Sequence, residues 1–248
     1  MHLTTLTLDL RLHPGDLPGF RACMSDFAGR EHEQFHNHDN SDPEAADRYH
    51  WAYPLVQYAV RRGLATVIGI GPGATALEQH LLPKFLLCAP DELVFAGCAH
   101  PLNGYKLERS RWQPELLAEP REYELAGWLA LNKENYTAWK AASGEGMRRA
   151  LLDSALTGHL RCMAEALELH DLKPFISAQI QAVTNQKRVQ WHGVQLVRFD
   201  VRFATRLLLP PGIGIGRCAA FGFGELREVK TAVTRRRMVV ESMPQMEN

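Results

Sequence analysis

The chain has 248 residues, 46% apolar and 23% charged, and its 28 basic and 28 acidic side chains leave no formal net charge. That is the composition of a folded protein rather than a disordered or fibrous one. No run of 18 uncharged apolar residues is present, and the N-terminus MHLTTLTLDLRL lacks the charged and apolar regions of a cleaved leader, so neither a membrane span nor a signal peptide is expected.

Five scattered cysteines (Cys23, Cys88, Cys98, Cys162, Cys218) without a C-x-x-C pair fit reduced thiols in a cytoplasmic protein. The length allows one large domain or two of ordinary size. Charge is unevenly spread: residues 173–238 carry twelve Lys and Arg against three acids, and residues 9–48 carry nine acids against four arginines. A neutral chain can therefore present a basic face, which is what phosphate binding needs.

In chain order, Thr5 to Leu12 alternates as a half-buried strand, and Leu17 to Ala28 reads as a helix with Leu17, Phe20, Met24 and Phe27 on one side. The polar, histidine-rich segment Arg30 to Trp51 has no period and reads as a loop. Tyr53 to Val60 and Leu64 to Ile70 form a hairpin, Ala74 to Leu87 a helix, and Glu92 to Cys98 a closing strand, with Pro101 to Pro120 as a linker or elaborated hairpin. The order β-α-β-β-α-β is that of a ferredoxin-like domain.

A second round follows. Tyr123 to Leu131 is a strand and Met147 to Leu169 the longest helix. Phe175 to Thr184 and Val189 to Leu208 are strands around a turn at Asn185 to Arg188. The expected fold is α+β, two tandem ferredoxin-like (RRM-like, βαββαβ) domains, the second lacking a full second helix. The boundaries are 1–120 for an N-terminal domain with the histidine loop and 121–230 for a C-terminal domain with a glycine-rich loop. Residues 231–248 are expected to be a disordered basic tail.

The glycine-rich loop is Leu209 to Leu226, where Gly214-Ile215-Gly216 and Gly222-Phe223-Gly224 flank five residues including Arg217. Glycine permits positive φ and close backbone approach, and successive N–H groups in such a loop can form an anion site. The preceding strand turns Arg198, Asp200, Arg202 and Arg206 to one face, and an arginine stripe beside a glycine loop suits a phosphate chain. Trp191 and His192, earlier in the same region, are candidates for stacking on bases.

Phe35-His36-Asn37-His38-Asp39 puts two imidazoles two residues apart, on one side of an extended segment. Histidine's ordinary pKa near 6.5 suits acid–base work near neutrality. A metal site would use both histidines with Asp39 or Asp42, but no second ligand cluster with a familiar spacing accompanies them. The contiguous letters HNH do not reproduce the dispersed signature of the metal-dependent nucleases. Gly69-Ile70-Gly71-Pro72-Gly73 has G-x-G-x-G spacing rather than that of a dinucleotide-binding turn, and no Gly-Lys-Ser/Thr follows to make a P-loop.

The segment Gly214 to Gly224 resembles, without a gap, the G-h-G-x(5)-G-h-G signature of the RAMP superfamily of CRISPR-associated proteins (h, hydrophobic). Within it the chain is similar to the repeat-processing endoribonucleases of the branch with an N-terminal paired-histidine motif. His36-Asn37-His38, Tyr53-Pro54-Leu55-Val56-Gln57-Tyr58, Ile68 to Gly71, Asn132 to Trp139 and Leu209 to Gly214 carry that likeness. Ala59 departs from it, standing where relatives are expected to carry a basic residue.

The resemblance implies metal-independent cleavage of CRISPR precursor RNA within its repeats, needing no cofactor. The 2′-hydroxyl would attack the adjacent phosphate and leave a 2′,3′-cyclic phosphate and a 5′-hydroxyl. It implies His36 and His38 as the catalytic acid–base pair. RNA binding falls to Arg198, Arg202, Arg206, Gly214, Gly216, Arg217, Gly222 and Gly224. Repeat RNA is the expected partner, with effector-complex subunits and a second copy of the chain as further candidates. The competing reading is a non-catalytic RAMP subunit that only holds guide RNA, and the histidine pair discriminates between the two.

Overall fold

The structure, a computed structural model, describes residues 1–36, 52–191 and 193–229. The first sheet is built around β1 (His2–Arg11), whose alternation buries Leu6, Leu8 and Leu10. It pairs antiparallel with β3 (Leu64–Ile70) on one side, and β2 (Val56–Arg61) adds to β3 through a hairpin. Helix α1 (Leu17–Ala28) covers the buried face together with a second helical segment. That segment is α2 (Pro72–Ala76), a π turn at Leu77–Leu81 and α3 (Leu82–Cys88).

The strand that closes this sheet is not the expected one. Glu92 to Cys98 does not run straight: Ala96 and Gly97 take positive φ, and the segment folds into a separate hairpin of β4 (Glu92–Phe95) and β5 (Cys98–Pro101). The closing strand is β6 (Tyr105–Arg111), which pairs with β1 from His2↔Arg111 to Leu8↔Tyr105 and gives the order β2-β3-β1-β6. Its sequence YKLERSR is mostly solvent-facing and carries no apolar alternation, so it reads as linker while serving as an edge strand.

The second sheet has the order β10-β7-β9-β8, formed by β7 (Leu116–Trp128), β8 (Ala178–Trp191), β9 (Val194–Leu207) and β10 (Glu225–Glu228). Helices α4 (Lys133–Ala141) and α5 (Glu145–Ala166) follow β7. Each sheet has the ferredoxin-like strand order, and in the second the glycine loop stands where the second helix would be.

The β8–β9 hairpin is longer than expected. Its register runs out to Trp191↔Val194, so the chain does not turn at Asn185 to Arg188, which is strand. Bulges between Ile180 and Ala182 and between Val183 and Asn185 absorb the break in alternation that mimics a turn in the sequence.

Two apolar cores result. One lies between the first sheet and its helices; the other joins α5, the inner face of the second sheet and the glycine loop. Tyr53, Ile68 and Ile70 of the first half belong to the second core, so the two halves are joined by apolar packing as well as by the chain.

Candidate functional site

An open cleft of about 1430 Å³ lies between the two halves. One wall is the face of α1 turned away from its core, Pro18, Arg21, Ala22, Ser25 and Asp26, which recur at helical spacing. The opposite wall is the corresponding face of α5: Leu151, Ser154, Ala155, Gly158, His159 and Cys162. Among the described residues, Arg21, Arg30, Lys133 and Arg217 line the cleft as cations and Asp26 and Glu134 as acids. Arg30 and Asp26 pair at 2.5 Å.

His36 sits in this cleft at the end of a 3-10 turn, Glu33–Phe35. Arg21 Nε at 3.3 Å and the Tyr58 hydroxyl at 3.1 Å donate to Phe35 O, the carbonyl just before it; Ser25 Oγ also lies 3.1 Å away, its single proton shared with the Arg21 carbonyl at 2.9 Å. His36 Nε2 lies 2.7 Å from the Arg30 carbonyl. A carbonyl only accepts, so that nitrogen carries the proton, and Nδ1, the lone-pair nitrogen of the neutral ring, is buried. His38, Asp39 and Asp42 lie outside the described residues. Among the described residues no group of three or more His, Cys, Asp and Glu side chains could hold a metal ion, and no helix is long and apolar enough to cross a membrane.

Two groups of the second half line the same cleft. Arg217 donates from Nη1 to the Leu131 carbonyl at 2.7 Å, and its own N–H bonds to Leu129 O at 3.2 Å, which fixes both ends of the residue. His159 receives at Nδ1 the indole N–H of Trp128, at 3.2 Å. Burial, and then the nearby Arg217 guanidinium, push the His159 imidazole down to about 4. It is therefore neutral at physiological pH. Cys218 also lines the cleft, and burial pushes its thiol up, which keeps it protonated. At the rim Trp191 packs against Phe221 and Phe223, and the Arg21 guanidinium lies 4.7 Å from the centre of the Phe221 ring.

Family models of the Cas6b N-terminal domain and the Cas6b C-terminal domain match residues 1–85 and 115–229. The chain belongs to the Cas6b family. A crystal structure of Cas6b superposes with a TM-score of 0.73 at 20% identity, covering 92% of this chain and all of the other. A second, described as CRISPR RNA processing endoribonuclease Cas6b, gives 0.61 at 18% identity over the same shares. An uncharacterized protein of Methanocaldococcus jannaschii, MJ0978, is 26% identical over 106 residues, 43% of this chain and 70% of that one. The resemblance to RAMP endoribonucleases and the tandem ferredoxin-like fold expected from it both agree with these matches.

Of the residues expected to bind RNA, Gly216 and Arg217 line the cleft of this Cas6b chain. Gly214, Gly222 and Gly224 do other work. Gly214 N–H donates to Gln57 Oε1 at 2.6 Å, and its carbonyl accepts from the Tyr53 hydroxyl and Gln57 Nε2. A Cβ on Gly224, whose φ is +69°, would land on the Ile215 carbonyl oxygen. Gly222 packs against Ala59, where a longer side chain would meet the loop. The peptide N–H groups of Gly214, Ile215, Arg217, Gly222, Gly224 and Leu226 all donate within the protein, so they are not an open row of donors, and the Gly214 bond to Gln57 ties the loop to the first half.

The arginine stripe lies on the other face of the second sheet. Arg202 pairs with Glu124 across the ladder at 3.2 Å, Arg206 donates to Leu117 O at 2.7 Å, and Arg198 lies along the Gly127 backbone. Asp200, within the stripe, accepts from Gly127 N and Asn185 Nδ2 and holds the bulges of its two neighbouring strands. His192 lies outside the described residues.

His159, Trp128 and the α1 residues that hold Phe35 do not stand out in the sequence. One signal was available. Beside its apolar stripe, α5 carries a second stripe of small residues, Ser154, Ala155 and Gly158, which ends in a histidine.

Proposed function

We propose that this protein cleaves CRISPR precursor RNA within its repeats, by a metal-independent transesterification in the cleft between α1 and α5. The observation that carries the reading is His36, held in a cationic cleft by a clamped Phe35 carbonyl and by its own Nε2–H on Arg30. Nε2 is held on Arg30 O and Nδ1 is buried, so the His36 ring turns toward the cleft to move a proton.

In the proposed reaction one histidine of the His36–His38 pair takes the proton of a ribose 2′-hydroxyl. The 2′-oxygen bonds to the adjacent phosphorus and the P–O5′ bond breaks. The other histidine protonates the departing 5′-oxygen. The products are a 2′,3′-cyclic phosphate and a 5′-hydroxyl, and no water is consumed. Charge gathering on the phosphorane oxygens is met by cations such as Arg217 and Arg21. The Trp191–Phe221 rim offers aromatic surface to the flanking bases.

Pure protein incubated with end-labelled repeat RNA in EDTA tests this reading. One cut per repeat with a cyclic phosphate on the upstream fragment is expected, and a 2′-deoxy residue at the cut must leave the RNA bound and whole. RNA that is bound but never cut would instead mark a guide-holding RAMP subunit.

A further inference from the structure

The second wall of the cleft holds a histidine that the proposed proton transfer does not use. His159 belongs to the cleft-lining face of α5, one turn beyond Ala155 and beside Gly158. Its tautomer follows from its partner. Trp128 Nε1–H only donates, so the His159 nitrogen that meets it at 3.2 Å, Nδ1, is the acceptor, and the proton of the neutral ring stands on Nε2. Trp128 is fully buried, so its indole is a fixed support.

The glycine signature helps to make this arrangement possible. A Cβ on Gly216 would stand 2.5 Å from Trp128 Nε1 and 2.6 Å from Cδ1, and Gly216 has φ +98°. Any side chain there would displace the indole that orients His159. Arg217, the next residue, is anchored at Leu131 O, and its charge adds to burial, the larger cause, in lowering the His159 pKa. A neutral ring with an oriented N–H and a fixed guanidinium therefore line the same cleft as His36.

We infer that His159 is a substrate-binding residue of this cleft: its Nε2–H donates to a phosphodiester oxygen of the RNA, beside Arg217, and Trp128 and Gly216 position it. This rests on the proposed RNA substrate. A neutral donor suits a strand whose phosphates are already matched by cations, because it adds direction without adding charge. The role differs from that of an acid–base histidine: burial, and then the Arg217 charge, lower the His159 pKa to about 4, so at neutral pH the ring stands as a neutral donor.

Two near-isosteric variants separate binding from scaffolding. In His159→Gln the amide nitrogen reaches the Nε2 position and restores the donor. In His159→Asn the amide oxygen can still accept from Trp128, but no donor reaches the Nε2 position. Binding of each variant to repeat RNA with a 2′-deoxy residue at the cut is measured across a salt series, with thermal melts as the check on folding.

The expected result is that Gln stays within about threefold of wild type while Asn weakens binding roughly tenfold at an unchanged melting temperature. The slope of log Kd against log salt should not move for either, whereas Arg217→Ala lowers it by about 0.7, the value for one single-strand phosphate contact. Equal binding by Gln and Asn, or a slope lowered by either variant, overturns the inference. If wild-type protein shows no preference for repeat RNA over unrelated RNA, the proposed substrate fails instead.

Discussion

Gln57 and Gly214, 157 residues apart, pair amide to amide: Gln57 Oε1 accepts the Gly214 N–H at 2.6 Å while Gln57 Nε2 donates to the Gly214 carbonyl at 3.1 Å. Both groups are buried, so the pair acts as a one-residue ladder joining β2 to the glycine loop and setting where Gly216 and Arg217 face the cleft. Gln57→Leu should cost about 2–3 kcal/mol, because it leaves the Gly214 N–H buried without its acceptor. Urea unfolding checks this, and an unshifted midpoint would remove the clasp from the account.

The Phe35 carbonyl accepts from Arg21 Nε and from the hydroxyl of the fully buried Tyr58. Tyr58→Phe keeps the ring and deletes one donor. Its expected stability loss is about 1 kcal/mol. The larger effect should be on the single-turnover cleavage rate, down several-fold, while the Kd for 2′-deoxy repeat RNA stays within twofold. A Kd that rises with no change in rate would place Tyr58 in binding rather than in positioning His36.

His159 makes stability depend on acid in a definite direction. Above pH 6.5 its ring is neutral in both folded and unfolded chains. Below that the unfolded chain takes up a proton that the folded chain refuses until about pH 4. Stability therefore falls as pH drops from 6.5 to 4, by up to roughly 3 kcal/mol from this group. Unfolding midpoints at pH 7.5, 6 and 5 should decline less steeply in His159→Gln than in wild type. Parallel declines would mean that the imidazole is not held neutral.

On the side of the second sheet away from α5, Arg202 and Arg206 are exposed and Arg198 is half-buried, and none of the three lines the cleft. If RNA leaving the cleft follows that face, each Ala substitution should lower the salt slope of binding by about 0.7. Stability should hardly change, since an exposed pair such as Arg202–Glu124 contributes at most about 1 kcal/mol. A triple variant with the wild-type slope would confine the RNA to the cleft.

Much of this could be read from the chain, for physical reasons that differ by element. The alternation of Leu6, Leu8 and Leu10 and the helical spacing of Leu152, Leu156 and Leu160 report burial directly, and both elements fall where expected. Edge strand β6 buries almost nothing, so its pairing with β1 leaves no pattern in the sequence. The β8 bulges look like a turn because both break alternation. At the site, His36 and Arg217 stand out by residue type and motif. His159 does not, because its chemistry depends on Trp128 and Gly216, which only the fold brings to it.

The most direct test of the central claim is cleavage of labelled repeat RNA, in EDTA, by wild type, His36→Ala, His38→Ala and the double variant, with binding to 2′-deoxy RNA measured in parallel. The account predicts that each single variant slows cleavage at least about a hundredfold, as expected for loss of a general acid or base, while binding stays within a few-fold of wild type. Cleavage by the double variant at the wild-type rate would contradict it.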